Sequence, residues 1–271
     1  MSNLFTYAGK RVVLTGGATG IGAALADLLG ELGVEHLTIL DIKAPSGRCD
    51  TFIETNLADP ESIDAAIAQI EGPIDVLFSN AGVSAAAGVR TCMAINVAAS
   101  RRLTDGLIGK IRTGGTIVYT ASMAGNGWPT QVAEINALLD MEDWDDFLTA
   151  AEASEGAQAD VYPFSKACMQ MFTMRRSYEA VRSGVRINSV CPGTVDTPLM
   201  PAFRETMGDK AIDWTVSVQG NGRMAVATDI APPLAFLGSD AAAFMSGVNL
   251  LVDSGFTAAM ITGQADFSAL A

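Results

Sequence analysis

Tyr162 and Lys166 stand four positions apart in the segment Tyr162-Pro163-Phe164-Ser165-Lys166. Positions i and i+4 share one face of a helix, so a helix here would place the phenol beside the ammonium. A free tyrosine has a pKa of about 10, and an ammonium about 4 Å away, at an effective dielectric constant near 20, supplies about the 4 kcal/mol that lowers a pKa by about 3 units. The pair predicts a tyrosine that exchanges protons near neutral pH without a metal ion, and we expect no metal site.

Pro163 limits where that helix can begin. Proline is tolerated in a first helical turn and disfavours helical geometry at the residue before it, so we expect the helix to start close to Tyr162. Desolvation of the phenolate opposes the shift in pKa, and a hydroxyl donor or a further positive charge nearby would support it.

A glycine-rich turn near the start of the chain, Gly16-Gly17-Ala18-Thr19-Gly20-Ile21-Gly22, follows a strand pattern and opens a helix pattern. Glycines let a backbone approach a pyrophosphate closely, and the helix N-terminus supplies free N–H groups and a partial positive charge. In this context the turn predicts a dinucleotide site.

Asp41 favours NAD over NADP in that site. It ends the second predicted strand, 25 positions after Gly16 (41 − 16). A carboxylate at this place accepts hydrogen bonds from an adenosine ribose and repels a 2′-phosphate. Lys43 lies close by and could instead pair with such a phosphate.

Apolar runs alternate with helical patterns along the whole chain. Strands are expected at 11–15, 36–41, 51–55, 75–79, 115–120, 185–190 and 248–252. Helices are expected at 21–32, 60–71, 89–111 and 162–182, with Asp59 as the N-cap of the second. Strands separated by helices pair in parallel through right-handed crossovers. The predicted fold class is α/β: a single domain over 1–271 with a doubly wound, seven-stranded parallel sheet flanked by helices (Rossmann), which binds ligands beyond the carboxyl ends of its strands.

Composition excludes several other classes of protein. The net charge is −13 over 271 residues, which opposes binding to nucleic acid or to an anionic membrane. The chain shows no signal-peptide pattern and no apolar run long enough to span a bilayer, and its four cysteines form no C-x-x-C pair. We expect a cytoplasmic protein with reduced, mostly buried cysteines. The sole histidine, His36, begins a predicted strand and is expected to be an ordinary strand residue.

With these motifs in order, the chain resembles the short-chain dehydrogenase/reductase family over nearly its whole length. The glycine turn matches the family's T-G-x-x-x-G-x-G, and Tyr162 with Lys166 matches its Y-x-x-x-K. The further matches are Asn80-Ala81-Gly82, Asn96, Ser122 and the run Pro192-Gly193-Thr194-Val195-Asp196-Thr197. Asn56 departs from the pattern, since the family usually has an aspartate there that contacts adenine.

The resemblance implies a role for each matching residue. Tyr162 would be the general acid/base and Lys166 would depress its pKa and bind the nicotinamide ribose. Ser122 would hydrogen-bond the substrate oxygen, and Asn96 would hold a water that relays protons to Lys166. Thr197 and the Pro192-Gly193 turn would position the carboxamide. The implied NAD contacts are Gly16, Thr19, Gly20, Ile21, Gly22, Asp41, Asn56, Leu57, Asn80, Ala81, Gly82, Tyr162, Lys166, Pro192, Gly193, Val195 and Thr197.

Two segments lie outside the shared motifs. Ser122 and Tyr162 are 40 positions apart (162 − 122), a longer connection than is typical of the family, so 126–158 is predicted to be an insertion with two short helices. It is acidic with no Lys or Arg, and it forms either a solvated excursion, a wall of the substrate site or a subunit contact. The second segment, 194–226, corresponds to the family's substrate lid, and its apolar residues are Leu199, Met200, Phe203, Met207, Trp214 and Met224.

Methionine and aromatic side chains in the lid suit a bulky apolar ligand, although they also suit ordinary core packing. The insertion resembles that of the bacterial 3α-hydroxysteroid dehydrogenase/carbonyl reductase and coniferyl-alcohol dehydrogenase group. We therefore expect a homo-oligomeric, NAD-dependent enzyme (dimer or tetramer) that interconverts a hydrophobic secondary alcohol and a ketone, with a hydroxysteroid as the expected substrate. The alternative within the same class is a coniferyl- or other aryl-alcohol dehydrogenase. The alternatives of another class are a dinucleotide-binding regulator without turnover, and an epimerase or dehydratase.

Overall fold

Parallel strands form the central sheet of the computed structural model, which describes residues 3–266 and 268 of the chain. In chain order the strands are β1 Arg11–Thr15, β2 His36–Asp41, β3 Thr51–Glu54, β4 Ile74–Ser79, β5 Ile111–Thr120, β6 Arg186–Pro192, β7 Val195–Asp196, β8 Ala225–Val226 and β9 Asn249–Val252. Among the described residues, seven of them pair in parallel in the order β3-β2-β1-β4-β5-β6-β9. The predicted fold class is confirmed.

Helices cover both faces of this sheet. They are α1 Gly20–Glu31, α2 Pro60–Gln69, α3 Val89–Met93, α4 Ala99–Leu107, α5 Val132–Leu139, α6 Trp144–Ala153, α7 Glu155–Arg182, α8 Met200–Met207, α9 Asp209–Val218, α10 Ala227–Gly238 and α11 Phe256–Ile261. One core lies under α1 and α10, and a second lies under α2, α4 and α7. None of the helices in the described part of the chain is both long and apolar enough to cross a bilayer.

The order of the strands reverses beside β1, which pairs with β2 on one side and β4 on the other. At such a switch point the connections leave the sheet in opposite directions, and a crevice opens at the carboxyl ends of the strands. The fold therefore places the ends of β1, β2, β4, β5 and β6 around one opening.

Element boundaries differ from the predictions at a few places. The predicted helix over 89–111 is α3, a π-helical turn Ala94–Ala98 and α4, and β5 already begins at Ile111. Ile111 pairs with Ile74 before the register shifts, so β5 has an irregularity that a simple apolar run does not reveal. Asp59 caps α2 as expected, since its carboxylate accepts a hydrogen bond from the N–H of Glu61 at 3.0 Å.

The insertion packs as two helices, α5 and α6, against α3 and α7. Three of its acidic residues form ion pairs with arginines from the rest of the chain. Arg90 pairs with Asp145 (2.6 Å) and Glu152 (3.0 Å), and Arg175 pairs with Asp140 (2.5 Å). The insertion is therefore docked on the body of the protein rather than fully solvated.

Tyr7 ties the N-terminal segment to α10, and its replacement tests this junction. The side chain is fully buried and its hydroxyl donates to the Ala235 carbonyl at 2.8 Å. Tyr7→Phe should lower the free energy of unfolding by about 1 kcal/mol, because a buried carbonyl loses its donor. The exposed Tyr178→Phe is the matched control and should change it by less than about 0.5 kcal/mol. Urea unfolding measures both, and equal midpoints for the two variants would contradict this account.

Candidate active site

A cleft of about 760 Å³ opens at the carboxyl ends of the strands. Two of the predicted site residues, Gly22 and Asn96, do not line it. The others do: Gly16, Thr19, Gly20, Ile21, Asp41, Asn56, Leu57, Asn80, Ala81, Gly82, Ser122, Tyr162, Lys166, Pro192, Gly193, Val195 and Thr197. Segments far apart in the sequence thus form one continuous wall.

The glycine turn between β1 and α1 has the shape of a phosphate cradle. Gly16 and Gly20 have φ angles of 70° and 57°, which favour glycine. A Cβ on Gly22 would lie 1.9 Å from the Gly16 carbonyl oxygen. Gly22 therefore allows α1 to pack closely against the back of the turn, on the side away from the cleft. No side chain in the described residues caps the first turn of α1, which leaves its N–H groups free for an anion. These residues fit a dinucleotide.

Asp41 is held at the end of β2, where the adenosine half would lie. One carboxylate oxygen accepts from the N–H of Ala18 at 3.0 Å, and the other accepts from the N–H of Lys43 at 3.2 Å. Among the described residues lining the cleft, the charged side chains are Asp41, Asp160 and Lys166. Lys43 is not part of this lining.

Asn80-Ala81-Gly82 follows β4 and braces the glycine turn. The N–H groups of Asn80 and Ala81 both donate to the Thr15 hydroxyl at 3.0 Å, and the Asn80 amide accepts from the Thr120 hydroxyl at 2.9 Å. These bonds join β1, β4 and β5 at the floor of the cleft.

The helix that carries Tyr162 begins where Pro163 requires. Although α7 spans Glu155–Arg182, Asp160 has the extended angles φ −161° and ψ 106° and divides it into two helices. The Asp160 carboxylate accepts from the N–H of Tyr162 at 3.3 Å, as an N-cap does. The second helix therefore starts directly after Asp160, and both Tyr162 and Pro163 lie in its first turn.

The structure places Tyr162 and Lys166 on the same side of this helix. The Lys166 Nζ lies 5.7 Å from the centre of the Tyr162 ring and donates to the Thr120 carbonyl at 3.0 Å. The lysine is buried, with 4% of its surface exposed. One backbone carbonyl thus holds the ammonium beside the phenol.

Burial sets the protonation of both groups in the protein alone. It raises the pKa of Tyr162 to about 12, and a hydrogen bond with the Ser122 hydroxyl lowers that pKa in part. It lowers the pKa of Lys166 to about 8. The prediction that the ammonium lowers the pKa of Tyr162 is therefore wrong for the protein alone, because desolvation of the phenolate outweighs the hydrogen bond with Ser122. A cation brought next to Tyr162 would lower its pKa again.

Ser122 and Asn96 surround this pair from two directions. Ser122 begins the turn after β5, and its hydroxyl accepts from the N–H of Ala124 at 3.1 Å. Asn96 lies in the π-helical turn behind Lys166. Its amide donates to the Ser165 hydroxyl and to the Val83 carbonyl, both at 3.0 Å, and it accepts from the N–H of Val83. Because these bonds occupy the side-chain nitrogen of Asn96, a water that relays protons would bind Asn96 at its backbone or at its side-chain oxygen.

The lid and the insertion form the far wall of the cleft. Strands β7 and β8 pair at the base of the lid, and α8 and α9 lie between them. Phe203 contacts the Tyr162 ring edge-on, with 4.7 Å between centroids. Of the predicted lid residues, the structure brings four into the cleft and leaves Trp214 and Met224 outside the lining; the four are Leu199, Met200, Phe203 and Met207.

Several lining residues have no individual assignment from the sequence. Ala157 and Gln158, at the end of the predicted insertion, and Ala159 and Asp160, which follow it, line the cleft next to Tyr162. The insertion therefore contributes to the wall of the cleft, which is one of its predicted alternatives. An aspartate shortly before a proline that lies in a first helical turn is an N-cap pattern, so Asp160 could have been found from the sequence. The other three carry no such pattern.

The fold and the site define an oxidoreductase that uses a nicotinamide dinucleotide. The sequence model described as short chain dehydrogenase matches residues 10–133, and the one described as Enoyl-(Acyl carrier protein) reductase matches residues 147–257. The chain belongs to the short-chain dehydrogenase/reductase family, whose members act on alcohols and ketones.

Relatives match nearly the full length of the chain. Cis-4-hydroxycyclohexanecarboxylate dehydrogenase from Sinomonas cyclohexanicum is 32% identical, over 93% of this chain and 98% of its own. Coniferyl-alcohol dehydrogenase from a Pseudomonas species is 28% identical with the same coverage. The crystal structure of a Pseudomonas 3-alpha-hydroxysteroid dehydrogenase complexed with NADH superposes with a TM-score of 0.79 at 26% identity, over 94% of this chain and all of that one.

Lys166 should make stability depend on pH. Burial holds its pKa near 8, against 10.5 for an exposed lysine, so between these values the unfolded chain binds more protons and the contribution to the free energy of unfolding rises with pH. Relative to Lys166→Met, the wild type should gain up to about 1 kcal/mol per pH unit from about pH 8 to about pH 9.5. Urea unfolding of both proteins across this range measures the difference, in which titrating groups remote from Lys166 cancel. Cys92 and Cys191 interact with Lys166, and burial raises the pKa of both thiols. A difference independent of pH would contradict the burial of a titrating lysine.

Proposed function

We propose that this protein is an NAD-dependent oxidoreductase that interconverts a hydrophobic secondary alcohol and its ketone, with a hydroxysteroid as the most suitable substrate. The observation that carries the proposal is the apolar chamber around Tyr162. Leu199, Met200, Phe203 and Met207 line it from the lid side, opposite the end of the insertion. Such a lining suits a large, uncharged ring system.

The roles of the chain's own residues follow from their positions. A bound nicotinamide dinucleotide would supply the hydride chemistry at the carbon of the substrate. The Tyr162 hydroxyl exchanges the proton of the substrate oxygen, and the Ser122 hydroxyl orients that oxygen. The Lys166 ammonium, held by the Thr120 carbonyl, stabilises the phenolate and binds the ribose. Asn96 holds the loop behind Lys166 and a relay water.

The remaining walls would hold the dinucleotide. The turn with Gly16 and Gly20 would receive the pyrophosphate, and Asp41 would receive the adenosine ribose. Thr197 lies over the glycine turn, since a Cβ on Gly20 would be 3.5 Å from the Thr197 Cβ. With Pro192 and Gly193, which also line the cleft, it would position the carboxamide end of the dinucleotide, as the family resemblance implies.

Asp41 should decide the choice between NAD and NADP. The wild type should prefer NAD, and Asp41→Asn should reduce the ratio of kcat/KM for NAD over NADP by at least about tenfold, because the carboxylate no longer repels a 2′-phosphate. Glu54→Gln is the matched control. Glu54 pairs in register with Asp41 on the neighbouring strand but does not line the cleft. Initial rates with both cofactors measure the ratio, and a wild type that prefers NADP would overturn this part of the proposal.

Tyr162→Phe should abolish the proton transfer while leaving the fold intact. We expect kcat to fall by about 10²- to 10⁴-fold, as is usual when a general acid/base is removed. Tyr178→Phe, on the exposed surface of the same helix, should leave it unchanged. A screen of 3α-hydroxysteroids, coniferyl and other aryl alcohols, and cyclic secondary alcohols with NAD provides the rates. Activity confined to aryl alcohols would favour the coniferyl-alcohol alternative.

Relatives of known activity support the choice of substrates without deciding it. Two of them act, by name, on a ring alcohol or an aryl alcohol. Equal activity of wild type and Tyr162→Phe on every substrate would favour a regulator without turnover.

We further propose a cytoplasmic homo-oligomer, dimer or tetramer, that binds neither nucleic acid nor membranes. The charge of −13 supports the lack of binding to nucleic acid and membranes, and the four free cysteines support the cytoplasmic location. The family resemblance supports the homo-oligomer, and sedimentation of the purified protein tests the assembly.

A further inference from the structure

Gln170 continues the face of α7 that carries Tyr162 and Lys166, at positions i, i+4 and i+8. Its side chain is buried, with 1% of its surface exposed, and does not line the cleft. The amide nitrogen donates to the Ser122 carbonyl at 2.9 Å and to the Asn126 side-chain oxygen at 3.0 Å. Both N–H groups of one buried amide are therefore directed at the turn that carries Ser122.

That turn lies directly on the catalytic helix. A Cβ on Gly125 would come within 2.5 Å of the Lys166 carbonyl carbon, so the turn and the helix are in backbone contact. The Ser122 carbonyl accepts from the N–H of Gly125 at 3.1 Å as well as from Gln170. Fixing this carbonyl fixes the backbone from which the Ser122 hydroxyl extends, and the N–H of Ala124 then holds the hydroxyl itself at 3.1 Å.

The hydrogen bonds continue beyond the turn. Asn126 donates to the Thr257 hydroxyl at 3.0 Å, and the N–H of Thr257 donates to the Asp253 carboxylate at 3.0 Å. Thr257 belongs to α11, and its neighbour Phe256 packs edge-on against Trp214 of the lid helix α9, with 5.8 Å between centroids. A chain of contacts thus runs from Ser122 to the C-terminal helix and the lid.

We propose that Gln170 is a positioning residue, which holds Ser122 opposite Tyr162 and, through Asn126, fastens the Ser122 turn to α11. The proposal rests on the roles of Ser122 and Tyr162 in the proposed function. An apolar side chain of the same length would fill the same space but would leave the Ser122 carbonyl with one donor and the Asn126 amide without its buried donor. The hydroxyl of Ser122 would then occupy a wider range of positions relative to Tyr162.

The test compares Gln170→Met with Thr173→Val. Thr173 is equally buried on the same helix, and among the described residues its hydroxyl bonds only the Met169 carbonyl of its own helix, at 2.8 Å. With an alcohol substrate and NAD, Gln170→Met should lower kcat about 10- to 100-fold, because small displacements of a reacting group cost this much. The KM for NAD should stay within about twofold, since the glycine turn is not touched. Thr173→Val should leave both constants near those of the wild type.

Hydrogen exchange gives a readout that does not depend on activity. In Gln170→Met, amides in 121–130 should exchange at least about tenfold faster, while those of β1 and α1 stay unchanged. Asn126→Ala, at a half-buried position, should show the same local effect and serves if Gln170→Met does not fold. A wild type without alcohol dehydrogenase activity would refute the proposed function alone. Unchanged exchange in 121–130, or a kcat for Gln170→Met equal to that of Thr173→Val, would refute the positioning role.

Discussion

The hydrogen bond from the Lys166 ammonium to the Thr120 carbonyl is the interaction on which the candidate active site depends. It joins α7 to the carboxyl end of β5, which pairs with β4 and β6 beside the cleft. A buried ammonium is costly unless it is paired, so this carbonyl both keeps the lysine inside and determines where its charge acts. The Tyr162 phenol, the turn that begins at Ser122 and the side chain of Asn96 are all arranged around this ammonium.

Desolvation is the opposing force at the same place. It holds the pKa of Tyr162 high and that of Lys166 low, which favours the uncharged forms of both. A site of this kind changes its protonation strongly when a charge arrives beside it, because surrounding protein atoms screen that charge less than bulk water would. The apolar lid residue Phe203, packed edge-on against the Tyr162 ring, contributes to this exclusion of water.

Much of the fold and of the cofactor half could be predicted from local patterns. The alternation of apolar runs and helical periods indicated the parallel sheet, and the glycine turn and Asp41 lie where consecutive strands end. Asp59 and Pro163 act through their own backbone neighbours, so their effects on α2 and α7 could also be inferred. The start of β5 at Ile111 could not, because it depends on pairing with Ile74 of β4, a residue distant in the chain.

The sequence by itself determined which residues have the chemistry for proton transfer and dinucleotide binding, since spacing along a helix or after a strand is a local property. Only the tertiary structure decided what surrounds them. The sign of the shift in the pKa of Tyr162, the entry of Ala157 to Asp160 into the cleft, and the bonds from Gln170 to the Ser122 turn all arise between segments far apart in sequence. Burial and side-chain contact are properties of the packed chain, and no local pattern encodes them.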